Sequence, residues 1–208
     1  MTEEASSVPF LEWGVASKPL AGQSESGDQY VLERFAEGAL LGVIDGLGHG
    51  DEAARAARTA VSLLRQHPQD PLVTLLRRCH EALKQTRGAV ISLASFHVPD
   101  NTMTWLGVGN VEGVLLRTER TESGQRRANE NIMLYAGLLG MQLPNVRPSV
   151  VPLAPGDTLI LTTDGIRNDF TRQLVLSDRP QQIADRICTR FAKGTDDALV
   201  LVARYMGR

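Results

Sequence analysis

The sequence predicts a mixed α/β fold organised around antiparallel sheet, and three observations carry that expectation. Two strand-like runs, Ala89 to His97 and Thr102 to Val108, flank Val98-Pro99-Asp100-Asn101, whose proline and asparagine supply turn chemistry. Short turns between neighbouring strands favour antiparallel pairing over a parallel βαβ arrangement. Apolar residues recur at helical spacing from Asp51 to Gln66 and again to about Thr86, placing two helices ahead of that hairpin.

The elements follow in chain order. Ala39 to Asp45 is a short apolar run that reads as a buried strand, and it ends in Gly46-Leu47-Gly48-His49-Gly50. The helix from Asp51 to Gln66 opens with Asp51 and Glu52, where the helix dipole favours negative charge. Asp70 offers an N-cap before Pro71 at the first helical position, and Leu72, Leu75, Leu76, Cys79 and Leu83 form the apolar stripe of the second helix. After the hairpin, Val111 to Arg117 continues as a third neighbouring strand. Thr118 to Asn131, rich in Glu, Arg, Gly and Asn, reads as a surface loop suited to partner contact. Ala154-Pro155-Gly156-Asp157 then turns into a strand from Thr158 that delivers Asp164 and Gly165 at its end. A last helix fits Gln181 to Lys193, and Gly194-Thr195-Asp196-Asp197 leads into the apolar strand Ala198 to Tyr205.

Composition bounds the function. At 208 residues, 42% hydrophobic and 22% charged, the chain is long enough for one core, so a single domain over 1–208 is expected. A net charge of −2 and a pI near 6.1 oppose a nucleic-acid or anionic-membrane partner. No stretch approaches the roughly 18 apolar residues of a membrane span, and a cytoplasmic location is expected. Cys79 and Cys188 both fall in helical stretches and read as free thiols. Trp13 and Trp105 read as core.

The chemistry concentrates in acidic strand ends. Asp28, Asp45, Asp164 and the pair Asp196-Asp197 each stand beside or near glycine at a strand boundary. Such pairs are also ordinary turn formers, so each taken alone is compatible with a plain turn. Brought together, two carboxylates about 4 Å apart repel by about 4 kcal/mol at an effective dielectric near 20, and a divalent cation reverses that sign. Oxygen donors without histidine or cysteine suit magnesium or manganese rather than zinc. Rival chemistries fit poorly. Cys79 sits in an apolar helical pattern and lacks the phosphate loop of a thiolate phosphatase. The glycines at 46, 48 and 50 match neither a dinucleotide fingerprint nor a P-loop. Ser24 and Ser26 lack a histidine and acid arrangement for a hydrolase triad.

In order along the chain, Ser26-Gly27-Asp28, Asp45-Gly46-Leu47-Gly48-His49-Gly50, Thr163-Asp164-Gly165 and Asp196-Asp197 resemble the metal-dependent PP2C-type serine/threonine phosphatases, in their SpoIIE-like branch. The resemblance implies a four-layer α/β/β/α sandwich with two central antiparallel sheets. It implies two Mn2+ or Mg2+ ions, with Asp45 bridging both, the Gly46 carbonyl on one, and Asp164 with Asp196 on the other. Asp28 would act through water, and Asp197 is a weaker ligand that orients Asp196. Hydrolysis of phosphoserine or phosphothreonine by metal-activated water would follow, on phosphorylated STAS-domain proteins of a stressosome. Where eukaryotic relatives carry a histidine after the Asp-Gly pair this chain has Leu47, leaving His49 as a cleft residue or a cap for the following helix. Asn110 stands where many relatives have an aspartate for a third metal. Lys18, Arg34 and Arg167 are the candidates for a phosphate-clamping cation. A non-catalytic phosphoprotein-binding module on the same fold is the alternative reading.

Overall fold

The structure is a computed structural model and describes residues 9–118 and 128–207. Its strands are β1 (Leu11–Lys18), β2 (Asp28–Phe35), β3 (Gly38–Gly46), β4 (Ala89–His97), β5 (Thr102–Val108), β6 (Glu112–Leu116), β7 (Glu130–Asn131), β8 (Leu134–Tyr135), β9 (Ser149–Pro152), β10 (Thr158–Thr162) and β11 (Ala198–Tyr205). The helices are α1 (Asp51–Gln66), α2 (Leu72–Leu83) and α3 (Pro180–Phe191), with a 3-10 helix over Asn168–Gln173. One sheet runs β1-β11-β10-β6-β7 and the other β2-β3-β4-β5-β8, with β9 also pairing β5.

Strand alternation sorts the side chains into three cores. In β3, Ala39, Leu41 and Val43 join Leu159, Leu161, Leu199 and Leu201 of the other sheet in a core between the sheets. The alternate residues Leu40 and Ile44 face away, against Ala57, Leu64, Leu75 and Leu76 of α1 and α2. Ile160, Val200 and Val202 face the third core, with Ile183, Ile187 and Phe191 of α3. Helices therefore cover the outer face of each sheet, as the expected sandwich requires. Trp105 is buried and Trp13 packs at the margin of the inter-sheet core, beside Tyr30.

Several boundaries fall where the sequence placed them, and the departures have physical causes. The run from Val111 is not a third strand beside the hairpin: β6 pairs with β10 in the opposite sheet. Gly109 makes that crossing, because its φ of +98° disfavours side chains and a Cβ there would meet the Val90 side chain at 2.1 Å. Asp70 does not cap α2. The helix starts at Leu72 with Pro71 extended before it, and Asp70 instead pairs with Arg78 at 2.9 Å. The last helix starts one residue early, at Pro180, and ends at Phe191. β10 stops at Thr162, two residues short of Asp164. The sheets are not wholly antiparallel, since β8 runs parallel to β5 over two pairs. Of the predicted loop, 119–127 lies outside the described residues, while Glu130–Asn131 forms β7 against β6. The opening strands β1 and β2 carry too little alternation to be read: β2 is DQYVLERF, with only Asp28 and Val31 buried.

At the end of β10 remote from Asp164, Arg117 is 1% exposed and bonds Asp157 at 2.7 Å, with Glu130 as a second carboxylate partner. Asp157 also accepts the backbone N–H of Thr118 at 3.0 Å and of Ala154 at 3.1 Å. Breaking a buried pair leaves a desolvated charge, although Glu130 retains part of the compensation. Asp157→Ala is therefore expected to lower the unfolding free energy by about 3 kcal/mol, measured as a reduced midpoint in urea at unchanged slope.

Candidate metal centre

The antiparallel register of β2 with β3 sets Asp28 directly opposite Asp45. The end of β3 is tightly overlaid: a Cβ on Gly46 would lie 2.1 Å from the carbonyl oxygen of Ala53 in the first turn of α1. Glycine is thus required for α1 to sit over this corner. The Gly46 N–H donates to the Gly27 carbonyl at 3.1 Å and the Leu47 N–H to that of Gly88 at 3.0 Å, which fixes the loop on both sides. Gly50 caps α1 with backbone alone, so His49, exposed at the surface, does not serve as its side-chain cap.

The opposite wall comes from the other sheet. Asp164 follows β10 and Asp196 precedes β11, and both line with Asp45 and Asn110 a cleft of about 340 Å³. Leu47, Val90 and Leu138 give it apolar flanks. Acidic side chains more than a hundred residues apart in sequence thus share one opening at the seam between the sheets. Asn110 Nδ2 donates to Asp164 Oδ2 at 2.8 Å, so this amide occupies a place beside the acids as a neutral donor.

Asp28 and Asp197 have different surroundings. Asp28 is buried and accepts the Thr163 hydroxyl at 2.7 Å, while that hydroxyl oxygen accepts the Leu199 N–H at 2.9 Å. Asp197 is buried too, and its carboxylate accepts the N–H groups of Leu20 and Gly27, each at 2.7 Å. Both its oxygens are committed to backbone, and Asp197 acts in the structure as a tie between the start of β11 and the β1–β2 loop. Asp196, the exposed member of the pair, points one oxygen at the Asp197 N–H, 2.9 Å away.

Like charges brought out of water raise one another's pKa. Asp45 is pushed up to about 8, first by burial and then by Asp28, Asp164 and Asp196. Asp28 rises to about 7, again by burial first, with the Thr163 hydrogen bond opposing. Asp164 is raised by burial and by Asp196, and Lys193 and Asn110 hold it down. Among the described residues no three His, Cys, Asp or Glu side chains stand close enough to cage one ion. The carboxylates are instead spread over two walls. That arrangement, made of hard oxygen donors, fits Mg2+ or Mn2+, which retain water and take one or two protein carboxylates each.

The three candidate clamp residues do not line the cleft. Arg34 lies at the far end of β2, opposite Ala39. Arg167 donates to the Arg190 carbonyl at 2.9 Å and lies over the Phe191 ring. Lys18 acts on Cys188, on the α3 side. The cations that do approach the cleft are Lys193, through its effect on Asp164, and Arg87, whose guanidinium lies beside Gly48 and pairs with Glu52 at 2.5 Å. Neither carries a spacing signal that would single it out in the sequence, and the inter-sheet role of Thr163 is equally invisible there. Cys79 is buried and its thiol is pushed up to about 12, which removes thiolate chemistry.

Residues 36–206 match the family Stage II sporulation protein E (SpoIIE). The phosphoserine phosphatase RsbX of Bacillus subtilis (strain 168) is 25% identical over 184 residues, covering 88% of this chain and 89% of RsbX. Among solved structures, a chain from a bacterial stressosome system adapted to control secondary messenger signalling is 27% identical with a TM-score of 0.82, over 93% of this chain and 99% of that one. RsbX in complex with magnesium superposes with a TM-score of 0.80 at 20% identity, over 94% and 96% of the two chains. The PP2C phosphatase domain of SpoIIE from Bacillus subtilis gives 0.79 at 21% identity, over 95% of this chain and 64% of that one.

Because folding raises the Asp45 pKa from 3.8 to about 8, the metal-free folded state binds more protons than the unfolded chain between those values. Stability of the metal-free protein is therefore expected to decline as pH rises through this window and to level off above it. Asp45→Asn is expected to flatten that slope and to add about 1–3 kcal/mol at pH 8, as read by urea denaturation in chelator at pH 5.5 and pH 8.

Proposed function

The chain belongs to the SpoIIE family of PP2C-type, metal-dependent protein serine/threonine phosphatases, and we propose that it dephosphorylates stressosome STAS-domain proteins through two divalent cations held in the acidic cleft. The observation that carries this reading is the convergence of Asp45 from one sheet with Asp164 and Asp196 from the other. The chain would act as a single catalytic domain in the cytoplasm. Among the described residues no helix is long and apolar enough to cross a membrane.

Each residue has a part that its surroundings support. Asp45 lines the cleft from the end of β3 and would be the carboxylate shared by the cations, with the Gly46 carbonyl beside it. Asp164 and Asp196 line the cleft from the other side and would hold a second cation. Asp28, fixed by Thr163 and in register with Asp45 on the neighbouring strand, would act through water rather than as a direct ligand. Asn110 keeps Asp164 oriented. Leu47 and Leu138 would flank a bound phosphoester with apolar surface. Bound divalent cations supply a lowered pKa for water and neutralise charge on the phosphoryl oxygens. Asp197 belongs to the scaffold in this scheme rather than to the ligand set, since both of its oxygens are engaged.

The stressosome assignment draws support from the likeness to RsbX and to a chain of a stressosome system. Manganese-dependent hydrolysis of an aryl phosphate is expected for the unmutated protein. Asp45→Asn is expected to lose at least about 100-fold in rate, since metal-based charge stabilisation amounts to several kcal/mol. Equal rates in both proteins would overturn the assignment. Binding of a phosphorylated STAS protein without turnover would instead support the binding-module reading.

A further inference from the structure

A second cavity, of about 380 Å³, opens on the α3 side of the first sheet and shares no lining residue with the acidic cleft. Its apolar floor includes Ile160, Ile132 and Phe170, and its polar rim includes Glu112, Asn131 and Asn168. The Asn168 side-chain amide donates to a Glu112 carboxylate oxygen at 2.6 Å, which holds that carboxylate at the rim. Phe170 is itself fixed edge-on against Phe191 of α3, with ring centres 6.5 Å apart. An apolar floor under a single anchored carboxylate suits a long aliphatic stem with a cationic head.

The position of this cavity relates it to the metal centre. Glu112 pairs in register with Thr162, and both line the cavity. Two residues outward along the same two segments stand Asn110 and Asp164, joined at 2.8 Å in the cleft wall. Two residues of extended chain advance about 7 Å. An extended peptide with its phosphoserine in the cleft would bring its second or third residue that far, toward the adjoining cavity.

We propose that this cavity receives a lysine or arginine side chain two or three residues from the phosphoserine of the substrate, and that Glu112 selects its charge. The proposal rests on the phosphatase reading above. It makes the enzyme prefer a basic flanking residue, and the overall charge of −2 works in the same direction.

The test compares kcat/KM for synthetic phosphoserine peptides that carry lysine, norleucine, glutamine or glutamate at the second and third positions on either side. The unmutated protein is expected to favour lysine over glutamine by about tenfold at one of these positions. Glu112→Gln is expected to bring that ratio to about one, and Glu112→Lys to favour the glutamate peptide. Ratios within one variant cancel any general change in turnover. A ratio of one in the unmutated protein, norleucine equal to lysine, or an unchanged ratio in Glu112→Gln would each overturn the proposal. Fluorescence anisotropy with the same peptides separates this from the underlying reading. Lysine-dependent binding lost in Glu112→Gln, without hydrolysis of peptide or aryl phosphate, would remove the phosphatase assignment and leave the cavity's role intact.

Discussion

The buried carboxylate of Asp197 ties the two sheets together at the edge where the acidic cleft opens. It accepts N–H groups from Leu20 and Gly27, at the two ends of the β1–β2 loop, and so seats the start of β2 against the start of β11. Thr163 makes the second tie, from the end of β10 to Asp28. A charged acceptor on two backbone donors is a strong use of a buried carboxylate, because its charge is met by the N–H groups. Among the described residues, Asp28 and Asp45 have no such pair of backbone donors to their carboxylates. Their elevated pKa values are the electrostatic complement of a scaffold that is itself well satisfied.

The same edge is constrained sterically. A Cβ on Gly46 would strike the Ala53 carbonyl, and one on Gly165 would lie 1.8 Å from the Asp197 carbonyl oxygen. Both glycines follow a candidate ligand directly. The close approach of backbone to backbone is what lets short acidic side chains from different sheets reach one cleft. Destabilising charge is gathered there at the expense of local stability, and three apolar cores elsewhere in the fold hold the arrangement.

Much of this was legible in the sequence where local patterns are strong. The hairpin of β4 and β5, helix α1 and strand β11 fall at their expected limits, because alternation, helical spacing and turn residues agree there. The acidic corners were legible as a set, since Asp-Gly at several strand ends has a chemical reading that a single turn lacks. Which sheet a strand joins was not legible. Val111 to Leu116 reads as a neighbour of β5, and only tertiary packing around Gly109 carries it across the seam. The division of labour within Asp196-Asp197 was hidden for a related reason: burial and backbone partners distinguish two identical side chains, and neither is written in local sequence. The contact between Glu112 at the start of β6 and Asn168 at the start of the 3-10 helix, and the approach of Lys193 and Arg87 to the cleft, likewise depend on tertiary packing with no periodic signal.

The seam itself has a consequence for how the molecule comes apart. Asp45 belongs to one sheet, while Asp164 follows and Asp196 precedes strands of the other, so any ion gripped by both walls would bridge the two sheets. Its binding free energy is then also cohesion between the layers, available only while they remain closed. The supply of divalent ions in the cell would therefore govern the lifetime of the folded chain against proteolysis, and not its turnover alone.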